Sequence, residues 1–440
     1  MRSDPAARKS GLGHAFRAFR HRDYLIFWLG ALASNTGTWL SNLAVPYVIF
    51  LPTHSALWVA FASLAQLLPG VLLAPVGGAL ADRFDRRLVL IGTQAAASLV
   101  ALALWACWVG GLHQPALLLL VVGLSGVTNG FNMPAWQSFV SDLVPREDLG
   151  SAVALNSLQF NAARSLGPAV AGVLLAALGP AWAFFINALS VVFVLTALWL
   201  VRARHQRRFE RTVGLGIHGQ LMEGLAYVLR SPGILLSILL SVVVGFFGNP
   251  MFQATVVLAE EVFRAGAGGL GVMSAALGAG ALLAAPIVSG ASGALSLSAV
   301  TRWGLLVYGA AVIAFGLAPS IVVAALVLLV AGAGYLAVIS SVNTAIQLLV
   351  ADHMRGRTMA VRHMLYTGSF SVGALFNGWL TEWLGAREAV VVAGAALLLT
   401  GLACLVYRGR YGLGRLDDPQ DPLVGPAVTT EGTADPIAAG

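Results

Sequence analysis

Apolar runs of about twenty residues recur along this chain from residue 24 to residue 407, and that repetition leaves few folds open. The hydrocarbon core of a bilayer is crossed by a helix of about 20 mostly apolar residues. Runs such as Leu88 to Gly110, Val300 to Ala318 and Ala389 to Val406 meet that length. A soluble domain carries roughly a quarter charged residues. Here 10% of 440 residues are charged and 58% are hydrophobic, more apolar surface than a water-soluble core could hide. Twelve spans are predicted, at 24–50, 57–81, 86–110, 115–140, 152–178, 181–201, 233–259, 268–290, 299–318, 320–348, 359–382 and 387–407.

The charges between spans test that count independently of hydropathy. Arg17, Arg20 and Arg22 precede span one, and Asp82, Arg83, Arg86 and Arg87 follow span two. Arg146 follows span four, Arg202 to Arg211 follow span six, Arg355 and Arg357 follow span ten, and Arg408 and Arg410 follow span twelve. The alternate loops 51–55, 111–114, 179–180 and 318–319 carry no Lys, Arg, Asp or Glu, while the loop after span eight has only Arg302. Cytoplasmic loops collect Lys and Arg, so both termini are expected in the cytoplasm and the number of spans is even. The formal charge of +7 then belongs to the cytoplasmic lipid face and not to a nucleic-acid surface. Residues 1–23 are basic and lack an apolar stretch with a small-residue cleavage site, so span one is expected to be retained as a signal anchor.

An internal repeat divides the chain in two. Gln137-Ser-Phe-Val140-Ser-Asp142 is echoed 210 residues on by Gln347-Leu-Leu-Val350-Ala-Asp352. Ser165-Leu-Gly167 with Gly172 is echoed 206 residues on by Ser371-Val-Gly373 with Gly378. The expected organisation is a cytoplasmic segment 1–23, a six-helix bundle 24–201, a cytoplasmic linker 202–232, a second six-helix bundle 233–407 and an unstructured cytoplasmic tail 408–440. Within the linker, 217–229 is amphipathic and suits the membrane surface, whereas 202–211 reads equally as a solvated charge run. Parallel halves related by an axis along the membrane normal place a substrate path between them.

Several chemistries have no residues to carry them. No G-x-x-x-x-G-K-[ST] occurs and Lys9 is the only lysine, which argues against an ATP-driven pump. No His/Glu metal motif or G-x-S-x-G elbow is visible, and Cys107 and Cys404 lie singly inside apolar runs. Neither enzyme activity, metal nor cofactor is expected.

The segment Gly78-Ala-Leu-Ala-Asp82-Arg83-Phe-Asp85-Arg86-Arg87 joins spans two and three. It resembles the cytoplasmic signature loop of the major facilitator superfamily, with Asp85 standing where that family usually has Gly. Gly78 would let helices approach, Asp82 would accept from a neighbouring helix end, and Arg83, Arg86 and Arg87 would anchor at headgroups, together forming a conformational latch. The second-half counterpart, near Gly290 to Ser298, has lost its charges. In span five, Arg164-Ser-Leu-Gly167-Pro168-Ala-Val-Ala-Gly172 resembles the glycine-proline motif of the superfamily's exporter branches. Gly167, Pro168 and Gly172 would permit a kink and close packing.

Arg164 lies about twelve residues into span five, near the bilayer middle, and is a candidate either for the transport path or for a structural bond to backbone carbonyls. The other path candidates are Asn35, Asn42, Asn132, Gln159, Asn249, Gln253, Asn343 and Tyr366, each also able to serve as an interhelical hydrogen bond. No Asp or Glu falls in the middle of a span, which leaves Asp23 and His363 as candidates for proton coupling, His363 equally as a simple hydrogen-bond donor.

Together with His21-Arg22-Asp23-Tyr24 and Asp142-Leu-Val-Pro145, these motifs make residues 15 to 410 similar to the bacterial major-facilitator subgroup that contains the enterobactin exporter. The resemblance implies an all-α fold of twelve transmembrane helices in two pseudo-symmetric bundles, in the bacterial inner membrane, acting as a monomer. It also implies proton-driven antiport that exports a drug, siderophore or hydrophobic metabolite. A lysophospholipid importer or flippase of the same superfamily, and a membrane sensor or scaffold that transports nothing, are the alternatives.

Overall fold

The structure, a computed structural model, describes residues 16–201, 217–248, 251–291, 296–406 and 416–417. The first half holds α1 (Arg22–Thr53), α2 (Ala56–Arg83), α3 (Arg86–Val109), α4 (Pro115–Asp142), α5 (Leu149–Leu178) and α6 (Pro180–Leu200). A shorter α7 (Ile217–Arg230) precedes the second half. That half holds α8 (Pro232–Val243), α9 (Met251–Val257), α10 (Gly266–Ala291), α11 (Leu297–Gly316), α12 (Ile321–Leu349), α13 (Arg355–Leu384) and α14 (Ala386–Val406). The chain is helical, without strands among the described residues.

Local chemistry sets where the helices begin. Ser55, Asp85, Ser296 and Ser320 each accept a backbone N–H in the first turn of α2, α3, α11 and α12. Pro115, Pro180 and Pro232 open α4, α6 and α8, where a missing N–H costs nothing. Gly179 and Gly385, separated by the repeat's own 206-residue offset, take positive φ of 81° and 107° and turn the chain at the same point of each half.

Among the described residues nine helical segments are long and apolar enough to cross a bilayer, Pro232–Val262 counting as one. The remaining three, α1, α5 and α13, have 32, 30 and 30 residues, ample for a crossing, and hold most of the polar residues named above. Span seven is interrupted: π-helical turns at Val244–Gly248 and Leu258–Val262 flank α9. Such turns free backbone groups inside the membrane and are common at functional sites.

Within the first half α1 packs on α5 and α6, α2 on α4, and α3 on α4 and α6; within the second, α11 packs on α12 and α14, and α10 on α12. The halves meet along α5 against α10 and α2 against α13. Lipid supplies no hydrophobic drive between helices, so close backbone contact must. A side-chain carbon on Gly172 would collide with the backbone of Gly271, and one on Gly378 would lie 3.0 Å from the Ala56 carbonyl. Glu382 accepts from the Ser55 hydroxyl and, at 3.3 Å, from the Leu57 N–H, while Gln253 Nε2 donates to Ser63 Oγ. These contacts all lie toward the end that carries the uncharged loops. At the opposite end a separate cluster, including Tyr24, Phe27, Leu90, Trp136, Phe139 and Leu198, belongs to the first half alone.

Candidate transport path and latch

The α2–α3 loop is tight because Asp85, at φ −61°, accepts from the Arg87 N–H at 2.8 Å. A capping acid, and not a glycine's conformational freedom, is what this turn uses. Arg86 Nη1 donates to both carboxylate oxygens of Asp142 at 2.9 Å each, with side chains only 10% and 2% exposed. That pair ties the start of α3 to the end of α4. Arg87 Nη2 donates to the Trp199 carbonyl at 2.7 Å, a cation on the C-terminus of α6 where the helix dipole favours one. Arg83 is exposed. A side-chain carbon on Gly78 would meet nothing within 4 Å, whereas one on the adjacent Gly77 would lie 2.9 Å from Phe131 Cα, so the close helix approach falls at Gly77. One residue is about 100° of helix rotation, enough to change the face presented. The side chain of Asp82 lies outside the described residues.

Next to this loop the turn Arg17–Arg20 is clasped to the start of α5. His21 Nε2 lies 2.8 Å from Asp148 Oδ2, Arg17 Nε lies 3.4 Å from Asp148 Oδ1, and the Ala18 N–H donates to Ser151 Oγ at 3.1 Å. The hydrogen bond from His21, with help from nearby Arg17 and Arg20, holds the Asp148 carboxyl below the usual carboxylate range against the opposing pull of burial.

The second half is fastened differently. In α7, Glu223 pairs with Arg357 Nη1 at 2.6 Å and the Tyr227 hydroxyl accepts from the Ala351 N–H at 3.2 Å. Of the tail 408–440 only Leu416 and Asp417 are described; Leu416 is 2% exposed and Asp417 accepts from the Ser298 N–H at 3.1 Å. An acid from the tail thus stands at the start of α11, beside the loop that has lost its own charges.

The path candidates divide into two sets. Asn42 accepts from Gln66 Nε2 at 2.8 Å, and Asn132 accepts from Thr93 Oγ1 at 3.0 Å and Gln94 Nε2 at 3.4 Å, bonds that join neighbouring helices. Gln159 is 1% exposed with neither amide atom partnered, and Asn35 Nδ2 is likewise buried without a partner. Gln253 bridges the halves as described, and Asn343 is half-buried on α12. The Tyr366 hydroxyl lies 2.9 Å from that of Tyr335, and the Arg362 guanidinium 5.9 Å from the Tyr366 ring centre. Asp23 occupies the first turn of α1 and His363 is exposed on α13. In α5, one uninterrupted helix, Gly167 meets the Trp39 side chain of α1 and Gly172 meets Gly271. The side chains of Arg164 and Pro168, and Asn249 altogether, lie outside the described residues.

The model of the family described as transmembrane secretion effector, a branch of the major facilitator transporters, matches residues 13–431. The chain belongs to that family. An MFS-type transporter of Bacillus subtilis (strain 168) is 27% identical over 88% of this chain and 94% of its own length. The enterobactin exporter of Escherichia coli O1:K1 is 27% identical over 88% and 92%, and a multidrug efflux pump of Mycolicibacterium fortuitum 23% identical over 87% and 94%. The structure superposes on a bacterial homologue of the iron transporter ferroportin, in an inward-facing state, with TM-score 0.68 at 19% identity over 88% of this chain and 99% of that one.

Two features of this transporter escape the sequence motifs. Asp142 appears in the repeat, yet nothing in its spacing names Arg86 as its partner 56 residues away. The Tyr335, Tyr366 and Arg362 cluster draws on two helices, and only its α13 members stand out as polar residues in an apolar run.

Proposed function

We propose that this transporter is a secondary active exporter, driven by proton entry, that moves a small hydrophobic or amphipathic molecule out of a bacterial cell by alternating access. The observation that carries this is the seam between the halves: among the described residues they meet toward the end bearing the uncharged loops, where Gly172 packs on Gly271 and the Ser55 hydroxyl donates to Glu382. With the arginine-rich loops and both termini in the cytoplasm, the inner end is the open one, the side from which an exporter loads. Relatives named as an enterobactin exporter and a multidrug efflux pump support the direction. Asp23 and His363 remain the proposed proton carriers. In a bacterial strain lacking its own efflux pumps, expression should lower the accumulation of a pump substrate, and a proton uncoupler should restore it. Accumulation indifferent to the uncoupler would refute gradient-driven export.

A further inference from the structure

We infer that the second half contains a recognition site for an organic anion with a flat, preferably aromatic, apolar body: the acidic group sits on Arg362 and the apolar face lies along Tyr366, Tyr335 and Phe252. Depth comes first. Arg362 and Tyr366 stand seven and eleven residues beyond the start of α13 at Arg355, about 10 and 16 Å along the helix and inside a hydrocarbon layer about 30 Å thick. Tyr335 lies fourteen residues beyond the start of α12, facing them from the other direction of travel. Charge comes second. Acidic residues of the spans sit at their ends, as Asp23, Asp142, Glu260, Glu261 and Glu382 do, whereas arginine enters the interior. Among the described residues no carboxylate pairs with Arg362, and its Nε is buried without a partner. A guanidinium in that setting lacks both counter-ion and full hydrogen bonding, a cost that a carboxylate, sulfonate or phosphate would relieve through a planar two-point contact. A cation would find no opposite charge there.

The apolar half of the site is a run of rings. From the guanidinium, the Tyr366 ring is 5.9 Å away and its hydroxyl meets that of Tyr335. The Tyr335 ring, buried at 6% exposure, backs this face at 5.8 Å from the buried Tyr308 and 6.2 Å, edge-on, from Phe252, which is 37% exposed and so offers its face to a ligand. Rings arranged at such distances accept another ring in stacked or edge geometry. The π-helical turn at Val244–Gly248 lies just ahead of α9, which carries Phe252.

The inference rests on the proposed export function only for direction of travel, and a matched pair of probes separates the two. Purified protein in nanodiscs of neutral phosphatidylcholine is titrated with pyrene-1-sulfonate and with pyrenemethylammonium, which share a ring and differ in charge. The sulfonate is expected to bind at least about tenfold tighter, and Arg362→Gln to lose about that factor for the sulfonate alone, with Arg362→Lys between the two. Equal affinities in the unmodified protein, or an Arg362→Gln protein that binds the sulfonate as before, would overturn the site; should that variant not fold, the unmodified ratio and Arg362→Lys decide. In proteoliposomes, sulfonate that binds but does not move under a proton gradient overturns export and leaves the site. Movement of the ammonium in place of the sulfonate overturns the site and leaves export.

Discussion

The two halves share a repeat but are held by different chemistry. At the end bearing the arginine loops, the first half relies on charges: Arg86 on Asp142, Arg87 on the end of α6, His21 and Arg17 on Asp148. Among the described residues the second half has there the pair Glu223 with Arg357 and a tail residue on the start of α11, and in its interior Arg362 lies among rings with no carboxylate partner, beside an interrupted span. Both halves keep the repeat and the turn glycines Gly179 and Gly385, yet the side chains that fasten their helices differ. Charge ties the arginine-loop end of the first half together, whereas the second half carries the proposed anion site.

The comparison breaks most decisively at the buried pair. Asp142→Asn should lower stability by about 3–5 kcal/mol, because it removes one charge of a buried, two-point ion pair and leaves the Arg86 charge buried. Thermal melting in detergent checks this, and a drop no larger than that of Glu223→Gln would end the distinction drawn between the halves. Asp417→Asn should cost about 0.5–1 kcal/mol, the worth of an acid at a helix N-terminus. Glu223→Gln should cost about 1 kcal/mol or less, since its side chain and that of Arg357 are 42% and 32% exposed and water screens them. Asp148→Asn should show the smallest change and a particular pH dependence. A carboxyl whose folded pKa lies below its unfolded one stabilises above the unfolded value. The melting difference from the unmodified protein should therefore be full at pH 7 and shrink as the pH falls below about 4. A difference that grows on acidification would contradict the clasp.

Much of the fold was legible because length and periodic hydropathy report directly on a membrane crossing. Each predicted span except the seventh matches a described helix to within four residues at either end, the seventh falls on α8, α9 and the π-helical turns beside them, and the amphipathic stretch 217–229 corresponds to α7. What hydropathy cannot convey is rotation about the helix axis. Gly77 and Gly78 are alike in sequence, and only the packed α4 distinguishes them. Partners across helices were illegible for a related reason: Arg86 and Asp142 meet because two antiparallel spans of matched length bring their ends level, a fact of geometry and not of spacing. Span seven was read as one run because its residues are apolar throughout, and apolarity is silent on whether hydrogen bonds run to the fourth or the fifth residue.

The meeting of Gly172 with Gly271 brings main chain directly onto main chain between the two bundles. Such a spot tolerates no spacer, so a leucine introduced at either glycine would act as a doorstop, wedging that end ajar. The result would be a handle for trapping the complementary shape of the molecule, obtained without touching any residue that meets cargo.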